Sequence, residues 1–203
     1  MPVYQTKNIS DSIILGVWKI TEQKEELLKQ LLKIGFDEST IYQTKNEQRL
    51  KQWLATRLLL SNFFKKTAII YDELGKPYLD NDWRISISHS NEFVSIILNK
   101  KDACGIDIEK VSDKIARIKH KFLNPLDLEN VITPKHLTLY WGAKEALYKY
   151  YGKKEVLFIE NLFIEEFSEN NTSFKGRIDM PDFKKTLLMK YEIIEGFILT
   201  YTL

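Results

Sequence analysis

Cysteine is almost missing from this chain of 203 residues. The single Cys104 cannot form an intramolecular disulfide, and His89, His120 and His136 lie scattered, without cysteine partners at zinc-ligand spacing. A structural zinc site is therefore not expected. An excess of one charge is missing too: 30 Lys+Arg against 28 Asp+Glu leave a formal charge of +2, so no global field recruits nucleic acid or an anionic membrane. Anion binding must be local. No apolar run approaches the roughly 18 residues of a membrane span, and the opening MPVYQTKNISDSIILGVWKI lacks the basic start and small-residue cleavage site of a secretory signal. These absences predict a cytoplasmic protein. With 8 Gly and 5 Pro against 44% hydrophobic residues, the composition excludes collagen-like and disordered chains and supplies a real core.

What is present is an alternation of element types. Ser12 to Ile20 reads as a strand, and TEQKEELLKQLLK follows with leucines at 27, 28, 31 and 32 on one helical stripe, Thr21 being its expected cap. A helix from about Asn46 to Lys65 puts Leu50, Trp53, Leu54 and Leu58 on one face, with Arg57 among them. Strand-like runs at Thr67 to Tyr71, Trp83 to Ser88 and Phe93 to Leu98 close the first half, with the turn-rich YDELGKPYLDND between the first two. The second half starts again with a strand at Ala103 to Glu109. Helical patterns follow at Asp113 to Phe122, Leu126 to Val131 and Thr133 to Tyr151, the last with Thr133 as N-cap and Pro134 at its first position. Strands are predicted at Val156 to Phe167, Ser173 to Ile178, Thr186 to Ile194 and Phe197 to Thr202. The repeated order implies an α+β fold of two lobes, residues 1–100 and 101–203, each a small, largely antiparallel sheet packed against helices, with the seam near NKKD at 99–102.

Three stretches can carry chemistry. In GIDIE, Gly105 to Glu109, strand alternation turns Asp107 and Glu109 to the same side, about 7 Å apart. Two carboxylates on one face repel, so either a hard cation such as Mg²⁺ compensates or the face is simply solvated. In WGAKEALYK, Trp141, Glu145 and Lys149 form one helical ridge with Lys144 beside it; the ordinary alternative is a surface ion pair over a core tryptophan. In WRISISHS, Ile85 and Ile87 are expected to face the core and Arg84, Ser86 and Ser88 the other side, with His89 and Ser90 at the strand end. Such donors hold a phosphate or close a turn. An arginine on an apolar stripe, such as Arg57, either snorkels to water or meets an anion.

Taken in order, GKP at 75–77, SISHS at 86–90, GIDIE at 105–109, FLNPLD at 122–127 and WGAKEALYK at 141–149 resemble the signature of the 4'-phosphopantetheinyl transferase superfamily, in its monomeric, two-lobed type that activates peptide synthetases. The resemblance spans roughly Arg57 to Gly152, and its most specific part is the pair of blocks GIDIE and W-x-x-K-E-A-x-x-K, about thirty residues apart. It implies transfer of the phosphopantetheine arm of coenzyme A to a serine of an apo acyl or peptidyl carrier protein, with release of adenosine 3',5'-bisphosphate. By the same resemblance Asp107, Glu109 and Glu145 are magnesium carboxylates. Lys149 matches the lysine near the pyrophosphate, Lys144 the lysine before the metal glutamate, and Ser88 and His89 positions at the nucleotide phosphates. Lys76 and Pro77 match the adenine and ribose end, and Arg57 resembles a phosphate-binding arginine. Glu145, or a water held by the metal, is the general base in this picture. Gly142 and Lys154 depart from the family pattern, which usually has Ser or Thr and Gly at those places. A magnesium-dependent phosphohydrolase and a non-catalytic coenzyme A or carrier binder are the alternatives, and a monomer is expected.

Overall fold

The computed structural model describes residues 3–131, 133–165, 167 and 171–203. Its first sheet is built from β1 (Val3–Ser10), β2 (Ile13–Lys19), β5 (Arg84–Ser90) and β6 (Phe93–Asn99), in the order β1-β2-β6-β5 with every pairing antiparallel. Helices α1 (Lys24–Lys33) and α2 (Glu47–Ser61) cover one face, and a short hairpin, β3 (Ile69–Tyr71) with β4 (Pro77–Leu79), lies between α2 and β5 in the chain. The second sheet, β7 (Ile106–Lys110), β8 (Leu162–Glu165), β9 (Ser173–Met180), β10 (Phe183–Ile194) and β11 (Phe197–Thr202), runs in the order β7-β11-β10-β9-β8, again antiparallel. Against it packs α4 (Pro134–Tyr151), preceded by a 3₁₀ helix at Asp113–Lys121 and by α3 (Pro125–Asn130), and followed by α5 (Phe158–Asn161). The α+β class and the antiparallel sheets are those expected from the sequence.

Burial follows strand alternation. In β6, Val94, Ile96 and Leu98 join Trp18, Leu27, Leu31, Leu54, Leu58 and Leu59 beneath the helices, while Phe93 and Ile97 turn to the other face. There they meet Leu15 and Val17 from β2 and, from the second sheet, Ile106, Ile108, Phe197 and Leu199. An apolar layer thus joins the two sheets. Its rim is polar: Lys7 Nζ donates to Glu192 at 2.6 Å, and Lys19 pairs with Glu195.

Several expected boundaries shift, each for a local reason. Helix α1 starts at Lys24 with Gln23 as N-cap, whose backbone N–H donates to Glu26 Oε2 at 2.9 Å, so Thr21 does not cap it. Strand β1 has no counterpart in the sequence reading because it is an edge strand with mostly exposed polar side chains. The GKPYL stretch is more than a turn, since Pro77–Leu79 pairs with Ile69–Tyr71 around the Asp72 to Gly75 turn. The region expected as one strand from Val156 to Phe167 contains α5 and only then β8, with position 166 outside the described residues. The helix expected at Asp113 to Phe122 takes the tighter 3₁₀ form. Among the described residues no helix is long and apolar enough to cross a membrane.

Candidate active site

The edges of the two sheets meet along β5 and β7, and serines make the junction. Ser86 Oγ accepts the Ile106 N–H at 3.2 Å and Ser88 Oγ the Ile108 N–H at 3.2 Å. Ser88 Oγ donates to Asp107 Oδ1 at 2.8 Å, and Ser90 Oγ donates to Glu109 Oε2 at 3.1 Å. The polar face of β5 read from its alternation is therefore the face that holds the acidic face of β7. Ile108 and Ile106 are buried on the opposite side.

Over the acidic face lies α4, brought close by two glycines. A Cβ on Gly105 would fall 1.8 Å from the Ala146 carbonyl oxygen, and one on Gly142 would fall 3.3 Å from Asp107 Oδ2 and 3.1 Å from Thr200 Oγ1. The ridge Trp141, Glu145, Lys149 consequently faces β7 rather than solvent. Lys149 Nζ donates to Asp107 Oδ1 at 2.7 Å and to the Ile106 carbonyl at 3.0 Å, so its partner is Asp107 and the surface ion pair with Glu145 is not made. Trp141 lies beside Glu109 and packs edge-on against Phe122.

Asp107, Glu109 and Glu145 are electrostatic neighbours. Burial, then the Asp107 charge, pushes both the Glu109 and the Glu145 carboxyl up to about 7, and Glu109 adds to the effect on Glu145. Among the described residues no group of three His, Cys, Asp or Glu side chains is placed so that it could already hold a metal ion, so the expected carboxylate triad is not assembled as a ligand set here. The donor set nevertheless suits a hard divalent ion: three carboxyl groups crowd a partly desolvated place, and the cationic partner they share is the Lys149 ammonium. A cation there would offset both the burial and the mutual repulsion that raise two of them.

Beside this acidic place opens a cleft of about 680 Å³, and Lys149 lines it as well. Of the residues singled out in the sequence, Arg57, Lys76, Pro77 and His89 line the same cleft. Arg57 stacks its guanidinium 3.5 Å from the centre of the Trp53 ring, donates to the Trp53 carbonyl at 3.3 Å and lies beside Tyr71, with burial pushing its pKa down. Lys76, also depressed by burial, rests against Gly152, whose φ of +69° ends α4, and donates to the Tyr150 carbonyl at 3.4 Å. Burial, together with the Lys149 and Arg49 charges, lowers the His89 pKa below 6.5. Ile87, expected in the core, is a half-buried part of the cleft wall.

Two of the expected residues lie elsewhere. Ser88 is buried beneath Asp107 and reaches the site through that carboxylate. Lys144 is fully buried, with its ammonium on Asp127 Oδ2 at 2.6 Å and on the carbonyls of Phe122 at 2.6 Å and Phe158 at 3.3 Å, and it does not line the cleft. The FLNPLD stretch thus supplies the acid that neutralises Lys144. Conversely, Arg49, Trp53, Lys153 and Lys154 line the cleft without having been singled out as ligand-binding residues. Their signal was present: Arg49, Trp53 and Arg57 are spaced by four along α2 and share one ridge. Among the described residues no Asp or Glu lines the cleft, and six basic side chains, Arg49, Arg57, Lys76, Lys149, Lys153 and Lys154, surround the space.

Comparison with known proteins bears on the family of the chain. The sequence profile described as the 4'-phosphopantetheinyl transferase superfamily matches residues 103–202, from just before β7 to the end of β11. A curated relative, 4'-phosphopantetheinyl transferase gsp from Aneurinibacillus migulanus, is 26% identical over 132 residues, which is 62% of this chain and 54% of the relative. The match thus spans about half of that protein's length. On the profile and the relative, this chain belongs to the 4'-phosphopantetheinyl transferase superfamily.

Proposed function

We propose that the protein transfers the 4'-phosphopantetheine arm of coenzyme A to a serine hydroxyl of an apo acyl or peptidyl carrier protein, releasing adenosine 3',5'-bisphosphate, and that it does so as a cytoplasmic monomer whose two lobes meet at the active site. One observation carries the reading: Lys149 is shared by the carboxylates and by a cleft lined with basic side chains and, among the described residues, with no acidic ones. A ligand with several phosphates and a nucleoside end suits that cleft, and its pyrophosphate then ends beside Asp107, Glu109 and Glu145.

Each residue has a part in this. Arg57 and Lys76 are preorganised cations, the first held by Trp53 and the second by the C-terminal turn of α4. They bind the phosphates and the nucleoside end without reorganising. Pro77 fixes the hairpin wall, and neutral His89 offers a ring N–H to a phosphate oxygen. A magnesium ion on Asp107, Glu109 and Glu145 would supply positive charge beside phosphoryl oxygens that become more negative during transfer. Lys149, at the mouth of that place, balances the same charge from the protein side. The serine oxygen forms the new bond to the β-phosphorus, and the bond from that phosphorus to the bridging oxygen breaks. The serine proton goes to the Glu145 carboxylate or to a water beside it.

Incubating the protein with coenzyme A, Mg²⁺ and a panel of apo acyl and peptidyl carriers, then weighing the carriers by mass spectrometry, tests the proposal. A carrier heavier by one phosphopantetheine arm is expected. No gain on any carrier would refute it.

A further inference from the structure

The two oxygens of Asp107 have different surroundings. Oδ1 accepts from Lys149 at 2.7 Å and from Ser88 at 2.8 Å. Oδ2 is buried and has no hydrogen-bond partner among the described residues. The same holds for Thr200 Oγ1, on a side chain with no exposed surface. These atoms are not strangers: Thr200 on β11 stands directly opposite Asp107 on β7, so both side chains project from the same face toward α4. They converge on Gly142, whose missing Cβ would lie 3.1 Å from Thr200 Oγ1 and 3.3 Å from Asp107 Oδ2.

A buried carboxylate oxygen and a buried hydroxyl, each without a partner, cost free energy that one hydrogen bond between them removes, the hydroxyl donating and the carboxylate accepting. We infer that Thr200 is a positioning residue of the active site: its hydroxyl holds Asp107 Oδ2, and Gly142 leaves room for the pair beneath α4. The consequence concerns the proposed metal carboxylate, since Oδ2 is sealed against the helix and any cation must approach Asp107 from the Oδ1 side. Fixing Oδ2 fixes the direction in which Oδ1 points. Outer partners of this kind typically change metal affinity by about 10- to 100-fold when removed.

This inference rests on the proposed metal site, and its test separates the two. Binding of Mn²⁺ to the purified protein is followed by the electron paramagnetic resonance of the free ion, with thermal unfolding measured in parallel. Thr200→Val, which keeps the shape and removes the hydroxyl, should weaken Mn²⁺ binding about tenfold or more. Thr200→Ser should restore it to within about threefold, a rescue that loss of packing alone would not give. Gly142→Ser places a hydroxyl within reach of Oδ2 and should recover binding in the Thr200→Val background. Should Thr200→Val fail to fold, Thr200→Ser and Thr200→Ala are compared instead, and the serine variant alone should bind Mn²⁺ to within about threefold of the unaltered protein. Mn²⁺ binding unchanged in Thr200→Val, or equal Mn²⁺ binding by the serine and alanine variants, would overturn the role of Thr200 and leave the metal site standing. No Mn²⁺ binding by the unaltered protein would overturn both.

Discussion

A buried cation with no acid beside it needs some other reason to be where it is, and Arg57 and Lys144 answer that need in opposite ways. Lys144 has Asp127 and two carbonyls, so its charge is consumed inside the fold. Arg57 has the π face of Trp53, a tyrosine and a cleft. In the proposed function its guanidinium is kept for a ligand anion. Replacing Arg57 with alanine should raise the KM for coenzyme A by about tenfold or more, equivalent to one charge-assisted hydrogen bond of about 1.5–3 kcal/mol. Turnover at saturation should change much less, because the residue lies away from the reacting oxygens. Steady-state kinetics with one carrier check this, and a fall in kcat with unchanged KM would contradict it. The sequence carried the difference between the two residues only in part. Arg57 on an apolar stripe already posed the question of an anion, whereas the partner of Lys144 lies 17 residues away in another helix, at a distance that helical spacing cannot reach.

Elements are placed here by what glycine omits. Helix α4 approaches β7 closely enough that Gly105 lies against the Ala146 carbonyl, a backbone atom that cannot step aside. Gly152 meets only the end of the Lys76 side chain, which can. The two alanine substitutions should therefore differ in size. Gly105→Ala pushes the helix from the sheet and should cost about 3 kcal/mol or more, with loss of activity. Gly152→Ala bears the left-handed strain of about 1–2 kcal/mol and displaces Lys76. Urea unfolding of both variants measures the order, and equal costs would contradict the account. At this scale the sequence was informative wherever an element buries a stripe. The termini of α4 were readable from Thr133, Pro134 and Gly152, and β11 from its continuous apolar run. It was silent for β1, which faces solvent, and misleading at 156–167, where apolar residues serve a short helix before a strand. Short apolar runs do not distinguish the two by periodicity.

The site lies where the first sheet meets the second, so its electrostatics bear on the stability of the whole molecule. Glu109 and Glu145 have folded-state values pushed up to about 7 from 4.5, by burial first and by Asp107 next. Between those limits the folded chain binds more protons than the unfolded one, and the sign follows: their contribution is fully present below about pH 4.5 and is lost as pH rises through about 7. Together this amounts to a few kcal/mol, on the order of 1.4 kcal/mol per pKa unit and reduced by coupling between the two groups. Asp102, held low by Lys185 and Tyr150 against partial burial, and Glu192, held low by Lys7, Gln5 and Tyr201, act in the other direction. Their contribution disappears as pH falls through the acid range. The metal-free protein should therefore be most stable on the acid side of neutrality and lose stability from about pH 5 to pH 8. Mg²⁺ favours the ionised carboxylates, so millimolar Mg²⁺ should recover the loss at pH 8 and do little at pH 5. Thermal unfolding across that range, with and without Mg²⁺, shows both effects, and the Glu109→Gln/Glu145→Gln double variant should remove the slope and the magnesium response together. A slope that survives in the double variant would place its origin in other groups and leave the acidic junction without the strain assigned to it.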